Sequence, residues 1–248
     1  MGKKRLRMFA GPNGSGKSEL INELEGKEIP LGPLVNADNI AKNLKETGFI
    51  DLSSYKLKNI TQSDWDNAII SIAELISRIE LIGKAPRIQI KENTLVYKTE
   101  NRVSYVSALV ADFLRYMLVN QGISFSFETV MSHEAKISFL EFAKEKEFTT
   151  YLYFISTESP DINIARVENR VAKGGHDVQE QKIVSRYYKS LGLLFDALKT
   201  ADRAFLIDNS KMNNFVIFEK KYDGMGYPQV DKMPNWFIEY VLKRLESD

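Results

Sequence analysis

Eight consecutive residues, Gly11-Pro12-Asn13-Gly14-Ser15-Gly16-Lys17-Ser18, carry the clearest chemistry in the chain. Their glycines let backbone N–H groups turn toward a common point, and a lysine and a hydroxyl close the run. Placed between a buried strand and a helix N-terminus, such a loop cradles the phosphates of a nucleotide, helped by the partial positive charge of the helix end. Lys17 then reaches the β- and γ-phosphates, and the Ser18 hydroxyl takes a place on Mg²⁺. The flanking sequence supplies that context, with the apolar run "LRMFA" before the loop and the helical pattern "ELINEL" after it. Lying on the surface, the loop should tolerate changes at Lys17 without loss of fold.

Further along, other groups suit the same chemistry. "VNAD" ends a second short strand and puts Asp38 at its carboxyl end, where ligands bind in open α/β sheets. There Asp38 can accept the proton of a hydroxyl attacking the γ-phosphate, or cap the helix that follows, or do both. "SFSFETV" brings Glu128 and Thr129 to the end of a third strand, where a carboxylate binds substrate hydroxyls or a Mg²⁺-bound water, or stands as a solvated charge. Arg166 and Arg170 are four apart on one helical face, and Arg186 stands across a Gly174-Gly175 break. Two helices joined by glycines form a lid whose guanidinium groups close on the transferring phosphate, although the spacing also fits a solvated basic face. His176, beside the break, is a substrate contact or a polar loop residue. This kit points to a kinase that uses ATP and Mg²⁺. The alternatives are a nucleotide-gated switch that hydrolyses ATP slowly, and a kinase acting on another metabolite, a nucleoside or an RNA end.

The elements that must hold these groups alternate along the chain. Strands are predicted at "RLRMFAG", "GPLVNAD", "GISFSFETV", "TTYLYFIST", "RAFLIDNS" and "NFVIFEKKY", separated by helical patterns. One helix is predicted through Ile183, Tyr187, Leu191, Leu194 and Leu198, and another closes the chain at "PNWFIEYVLKRLE". Strands alternating with helices imply an α/β fold, a parallel sheet flanked by helices on both faces, here of the P-loop NTPase kind. Residues 51–100 break the alternation with a strong helix around Trp65 and a hairpin turning at Glu92-Asn93. They read as an insertion within one domain spanning 1–248. Its attachment beside the strand bearing Asp38 suggests that it walls the acceptor side of the cleft, or serves as surface decoration or a partner-docking module.

Composition narrows the partners. A formal net charge of +1 over 248 residues gives no global pull toward polyanions, which argues against nucleic acid. The chain has no cysteine, so disulfides, thiolate metal sites and thiol nucleophiles are excluded. Neither a signal-peptide pattern nor an apolar run near the roughly 20 residues of a membrane helix is present. The sequence therefore predicts a cytoplasmic protein without membrane contact.

"GPNGSGKS", "NAD", "SFSFET" and "ARVENRVAKGGHDV…IVSRYYKSL", in this order, resemble the zeta-toxin family of bacterial phosphate-loop kinases. The resemblance implies ATP- and Mg²⁺-dependent phosphorylation of the sugar 3′-hydroxyl of UDP-N-acetylglucosamine, and an antitoxin protein as partner. By position it assigns Lys17 as the phosphate-loop lysine, Asp38 as the base and Glu128 as the strand-end carboxylate. Arg170 and Arg186 match the arginines on the ATP phosphates. Two departures bear on the acceptor: Gln179 stands where the family has proline after the lid histidine, and Val130 replaces the second threonine of Phe-Glu-Thr-Thr.

Overall fold

Residues 3–75, 86–98, 103–175, 177–211, 215–222, 224 and 226–246 are described in the computed structural model. A strand of alternating character, β1 (Arg5–Ala10), runs down the middle of a seven-stranded sheet. Leu6, Met8 and Ala10 face one side and Phe9 the other, and all four are buried. Parallel to β1 on one side lies β6 (Phe125–Thr129), with β2 (Leu34–Val35) beyond it. On the other side lie β7 (Thr149–Ser156) and then β8 (Arg203–Asp208). The chain moves outward from β1 to β2, returns to β6, and crosses to β7. The carboxyl end of β1 is therefore the point where strand order reverses and a crevice opens.

The expected parallel sheet is present and carries two antiparallel strands at its far edge. β9 (Phe215–Lys220) pairs antiparallel with β8, and β10 (Gly226–Pro228) antiparallel with β9. Only residues 209–214 separate β8 from β9, too few for the crossover that a parallel pairing needs.

Helix α1 (Lys17–Gly26) covers one face, setting Leu20 and Ile21 on Phe9, Ile155 and Ile207. On the opposite face, α2 (Ala37–Thr47), α4 (Val103–Asn120) and α5 (Ala135–Glu145) bury Leu6, Met8, Phe125 and Phe127. The lid region comprises α6 (Pro160–Ala172) and α7 (Glu180–Gly192). The single helix expected through Leu198 is instead α7 and a separate α8 (Leu194–Thr200), broken next to Gly192, a residue type that weakens helices. The C-terminal helix is likewise divided, into α9 (Asn235–Phe237), a π turn at Ile238–Leu242 and α10 (Lys243–Leu245).

Within the expected insertion, α3 (Gln62–Leu75) packs Trp65 on Phe113 of α4, ring centroids 4.9 Å apart. The hairpin is present as β4 (Gln89–Lys91) and β5 (Thr94–Val96), and β3 (Phe49–Asp51) completes a small sheet in the order β3-β5-β4. Trp65, Ile69, Ile72 and Leu95 belong to the same buried cluster as the main sheet. The sheet lies at the C-terminal end of α2, where Tyr97 N–H donates to Gly48 O at 2.8 Å. Lys58 likewise bonds Gln121 beyond the end of α4, at 3.2 and 2.8 Å. Asp38 sits at the other end of α2, an 11-residue helix about 16 Å long. The hairpin therefore does not wall the acceptor side of the cleft. A short helix that leads away from the strand ends carried it elsewhere.

Asn93 organises this region. Glu92 and Asn93 both have positive φ, 47° and 59°, as the favoured two-residue hairpin turn requires. The Asn93 amide accepts from Ile60 N–H at 3.0 Å and donates to Leu57 O and Ser53 Oγ, both at 2.9 Å. Asn93→Ala is expected to lower unfolding free energy by about 2 kcal/mol or more, since three bonds and a tolerant turn residue are lost together. Nucleotide affinity should stay unchanged. Denaturant titration and calorimetry on the same sample check both halves.

Candidate active site

The phosphate loop forms as the sequence requires, and close approach dictates its glycines. Gly11 has φ 141°, and a Cβ there would lie 2.0 Å from the carbonyl oxygen of Ile155 on β7. Gly16 caps α1 at φ 98°, where a Cβ would meet the Asn209 side chain at 2.2 Å. No side chain caps α1, so its first-turn N–H groups face the loop, disposed to receive an anion.

Lys17 is buried, only 6% exposed, which corrects the surface position expected for it. Its ammonium donates to Gly11 O at 2.9 Å and Pro12 O at 2.8 Å, and lies 3.9 Å from Glu128 Oε1. Burial pushes the Lys17 ammonium below its ordinary pKa; Glu128 opposes this, Arg170 adds to it, and Asp38 and Arg186 act in the same opposing senses more weakly. Four residues, on α2, β6, α6 and α7, thus act on one ammonium.

Glu128 is the meeting point of the acceptor side. Register sets it beside Phe9, one residue short of the end of β1, with Thr129 beside Ala10. Its Oε2 accepts from Ser18 Oγ at 3.1 Å and from Asn36 Nδ2 at 2.8 Å. The Asn36 oxygen in turn accepts from the N–H groups of Asp38 and Asn39, at 2.8 and 3.2 Å, and caps α2. Capping therefore falls to Asn36, and the exposed carboxylate of Asp38 stands free of that duty in the first turn of the helix. Thr129 Oγ1 accepts from Met131 N–H at 3.1 Å, holding the turn that leaves the strand.

Because the Ser18 hydroxyl gives its proton to Glu128, its lone pairs are left for a cation. Among the described residues no cluster of three or more His, Cys, Asp or Glu side chains could cage a metal. That donor set fits Mg²⁺, which keeps several waters and takes phosphate oxygens rather than an all-protein cage.

The lid reaches the loop through Asn13. Arg186 Nη1 donates to Asn13 Oδ1 at 3.3 Å, and the fully buried Asn163 donates from Nδ2 to Asn13 O at 2.6 Å. Tyr187 OH donates to Thr157 O at 2.7 Å, tying α7 to the end of β7; burial pushes its phenol well above the ordinary value. Behind the loop, Asn209 donates to Ser15 O at 2.8 Å, while Asp208 takes Trp236 Nε1 at 2.9 Å and anchors the C-terminal segment. Gly175 N–H closes on Arg170 O at 3.0 Å, so the expected glycine break ends α6 just past Arg170. His176 lies outside the described residues.

The structure thus gathers Lys17, Ser18, Asp38, Glu128, Arg170 and Arg186 about the phosphate loop. Residues that sequence reasoning missed are the asparagines that brace it: Asn36, Asn163 and Asn209. Asn36 was within reach, since asparagine after a strand and before a helix is a strong capping signal. Asn163 and Asn209 carry no local signal, because their partners are 150 and 194 residues away.

This loop and sheet order define an α/β P-loop fold, and solved structures share it. A structure of the PezAT chromosomal toxin–antitoxin system of Streptococcus pneumoniae aligns over 100% of this chain and 88% of its own, with TM-score 0.52 and 10% identity. A chain of the AvrRxo1-ORF1:-ORF2 complex solved with ATP aligns over 92% of this chain with TM-score 0.54 and 15% identity. The present chain spans 61% of that one. The resemblance to zeta toxins read from the motifs is borne out at the level of fold. An uncharacterized protein of Haemophilus influenzae is 34% identical over 74 residues, which are 30% of this chain and 53% of that protein. No family profile matches the sequence.

Lys17→Ala is expected to slow ATP consumption by about 10²-fold or more if the loop holds a nucleotide, because an ammonium here would meet charge developing on a transferring phosphate. Two carbonyls and Glu128 also lose their cation, so the unliganded variant should be less stable by about 1–3 kcal/mol. Steady-state turnover and denaturant unfolding read the two effects. A folded variant with normal turnover contradicts the assignment of the loop.

Proposed function

We propose that this chain is a single-domain, ATP- and Mg²⁺-dependent phosphotransferase that moves the γ-phosphoryl group to a sugar hydroxyl, with UDP-N-acetylglucosamine or a related nucleotide-sugar as acceptor. The observation that carries the reading is the placing of Asp38 near the buried Lys17 ammonium: its backbone N–H donates to Asn36, which in turn donates to Glu128, and its carboxylate is released from capping. A switch that only binds and hydrolyses nucleotide needs no such base. The solution of a similar fold with ATP supports the choice of nucleotide.

On this reading the loop N–H groups and Lys17 hold the β- and γ-phosphates, and Ser18 would hold a Mg²⁺ ion, which would supply neutralisation of phosphate charge. Asp38 takes the proton of the acceptor hydroxyl as its oxygen approaches phosphorus. Arg170 and Arg186 close over the γ-phosphate and exclude water. The acceptor lies above the ends of β2 and β6, where Glu128 and Thr129 mark the floor, with His176, next after Gly175 in the sequence, as a further acceptor contact. Because similar folds were solved in a toxin–antitoxin system and in a two-component complex, the proposal extends to an antitoxin partner in the cytoplasm. Among the described residues no helix is long and apolar enough to cross a membrane.

Incubation with ATP, Mg²⁺ and a panel of nucleotide-sugars is expected to give one acceptor a mass gain of roughly 80 Da, one phosphoryl group. Asp38→Asn should abolish that product and leave ATP affinity within about twofold, since the amide cannot accept the proton but adds no bulk. A variant that retains full transfer overturns the role of Asp38.

A further inference from the structure

The two faces of the main sheet are covered unequally. On one, α2, α4, α5, α8 and the C-terminal segment share a continuous apolar cluster with the strands. On the other, α1 is the one helix among the described residues that joins the cluster, and it meets only Phe9, Ile155 and Ile207 near the carboxyl ends of their strands. Beyond α1 the strand register lays two rows across the floor. Phe9, Tyr153, Phe205 and Glu219 are paired in one, and Arg7, Tyr151 and Arg203 in the next. Alternation along each strand puts both rows on the α1 side. The rings of Phe9, Tyr153 and Phe205 stack on one another at 4.8 and 5.0 Å, and the Arg203 guanidinium lies 5.0 Å over Phe205 and 5.2 Å over Tyr222. Tyr153 and Phe205 are only half-buried, while Val216 on β9 and Tyr222 beyond it are 37% and 54% exposed. Aromatic and apolar groups left open beside arginines have the composition of an interface core.

Charge on this face is divided. The floor carries Arg203, which pairs with Glu219, and the exposed side chains of Lys3 and Arg5. Arg5 alternates onto the same side as Arg7 and Phe9, and the Lys3 ammonium lies 5.3 Å over the Tyr222 ring. The ridge beside the floor is acidic: α1 and the two residues after it expose Glu19, Glu23, Glu25 and Glu28 against Lys27. Glu19 and Glu23, four apart, share one edge of the helix. That edge is turned toward β8, since a Cβ at Gly16 would meet both the Asn209 amide, just past β8, at 2.2 Å and the Glu19 carboxylate at 3.6 Å.

We infer that this face docks a second copy of the same chain, with the acidic edge of α1 in each copy lying on the basic, aromatic floor of the other across a two-fold axis. A basic strip and an acidic ridge side by side are self-complementary, because a two-fold rotation sets each against the other and makes every contact twice. A face that was basic throughout would fit a polyanion instead. Nucleic acid bases find no platform here, since the three stacked rings present their faces to one another. A formal net charge of +1 leaves little repulsion between whole copies. The inference stands independently of the phosphotransferase reading.

Sedimentation equilibrium over a range of protein and salt concentrations is expected to show a monomer–dimer equilibrium that weakens as salt rises. Arg5→Glu and Glu23→Lys, both at exposed positions, should each raise the dimer dissociation constant about 10-fold or more, by setting like charges together at both copies of the contact. Equimolar mixing of the two variants should bring association back near the wild-type constant, because each altered charge then faces its opposite. Circular dichroism melts establish that the variants are folded. Arg5→Ala and Glu23→Ala replace either that is not, with the constant expected to move in the same direction. Wild type that stays monomeric up to its solubility limit overturns the inference. A dimer whose dissociation constant is unmoved by either change overturns it too, as does a mixture of the charge-reversed variants that associates no better than each alone.

Discussion

An ammonium almost without water sets the terms of this molecule. Lys17 can stay charged in the interior only because oxygen atoms are brought to it: the carbonyls of Gly11 and Pro12, and the carboxylate of Glu128. Turning those carbonyls inward requires the backbone at Gly11 to pass directly beneath β7, where nothing larger than glycine fits. Bringing Glu128 alongside requires β6 to pair with β1 in a register that ends both strands together. The central three strands and the loop are thus a single solution to one electrostatic problem. A phosphate entering the loop would offer the ammonium better acceptors than the loop carbonyls do.

The same carboxylate links the two halves of the site. Glu128 receives Ser18 from the phosphate side and Asn36 from the acceptor side, and Asn36 fixes the first turn of the helix that carries Asp38. Asp38 and the glycine-rich loop, apart in sequence, are held in register by three hydrogen bonds. The lid is joined in a similar way through Asn13, whose side chain meets Arg186 and whose carbonyl meets Asn163. Loop, α2 and lid are therefore joined through side chains of the loop and of β6.

Local signals made the centre of this architecture legible. The glycine-lysine-serine run, the apolar strand before it, and the strand-end position of Glu128 follow from the order of residues alone, whereas Asp38, expected at a strand end, lies in the first turn of α2. The hairpin at Glu92-Asn93 was also legible, because the turn needs residues that accept positive φ. What was not legible depends on partners distant in the chain. The reversed strands at the sheet edge follow from the brevity of residues 209–214, and the place of the small sheet from the direction in which α2 leaves β2. The burial of Lys17 and the bracing asparagines are likewise tertiary facts. Motif spacing names the groups that do chemistry, and packing decides which of them are held rigidly.

The account stands or falls on whether the crevice passes phosphate to a hydroxyl or only to water. ATP consumption measured with Mg²⁺ present, first alone and then with each member of a nucleotide-sugar panel, separates the two. A base held for an acceptor and a lid that excludes water predict slow consumption alone, rising by about 10²-fold or more with the right acceptor. An equal rate in every mixture, with inorganic phosphate as the sole product, would contradict it.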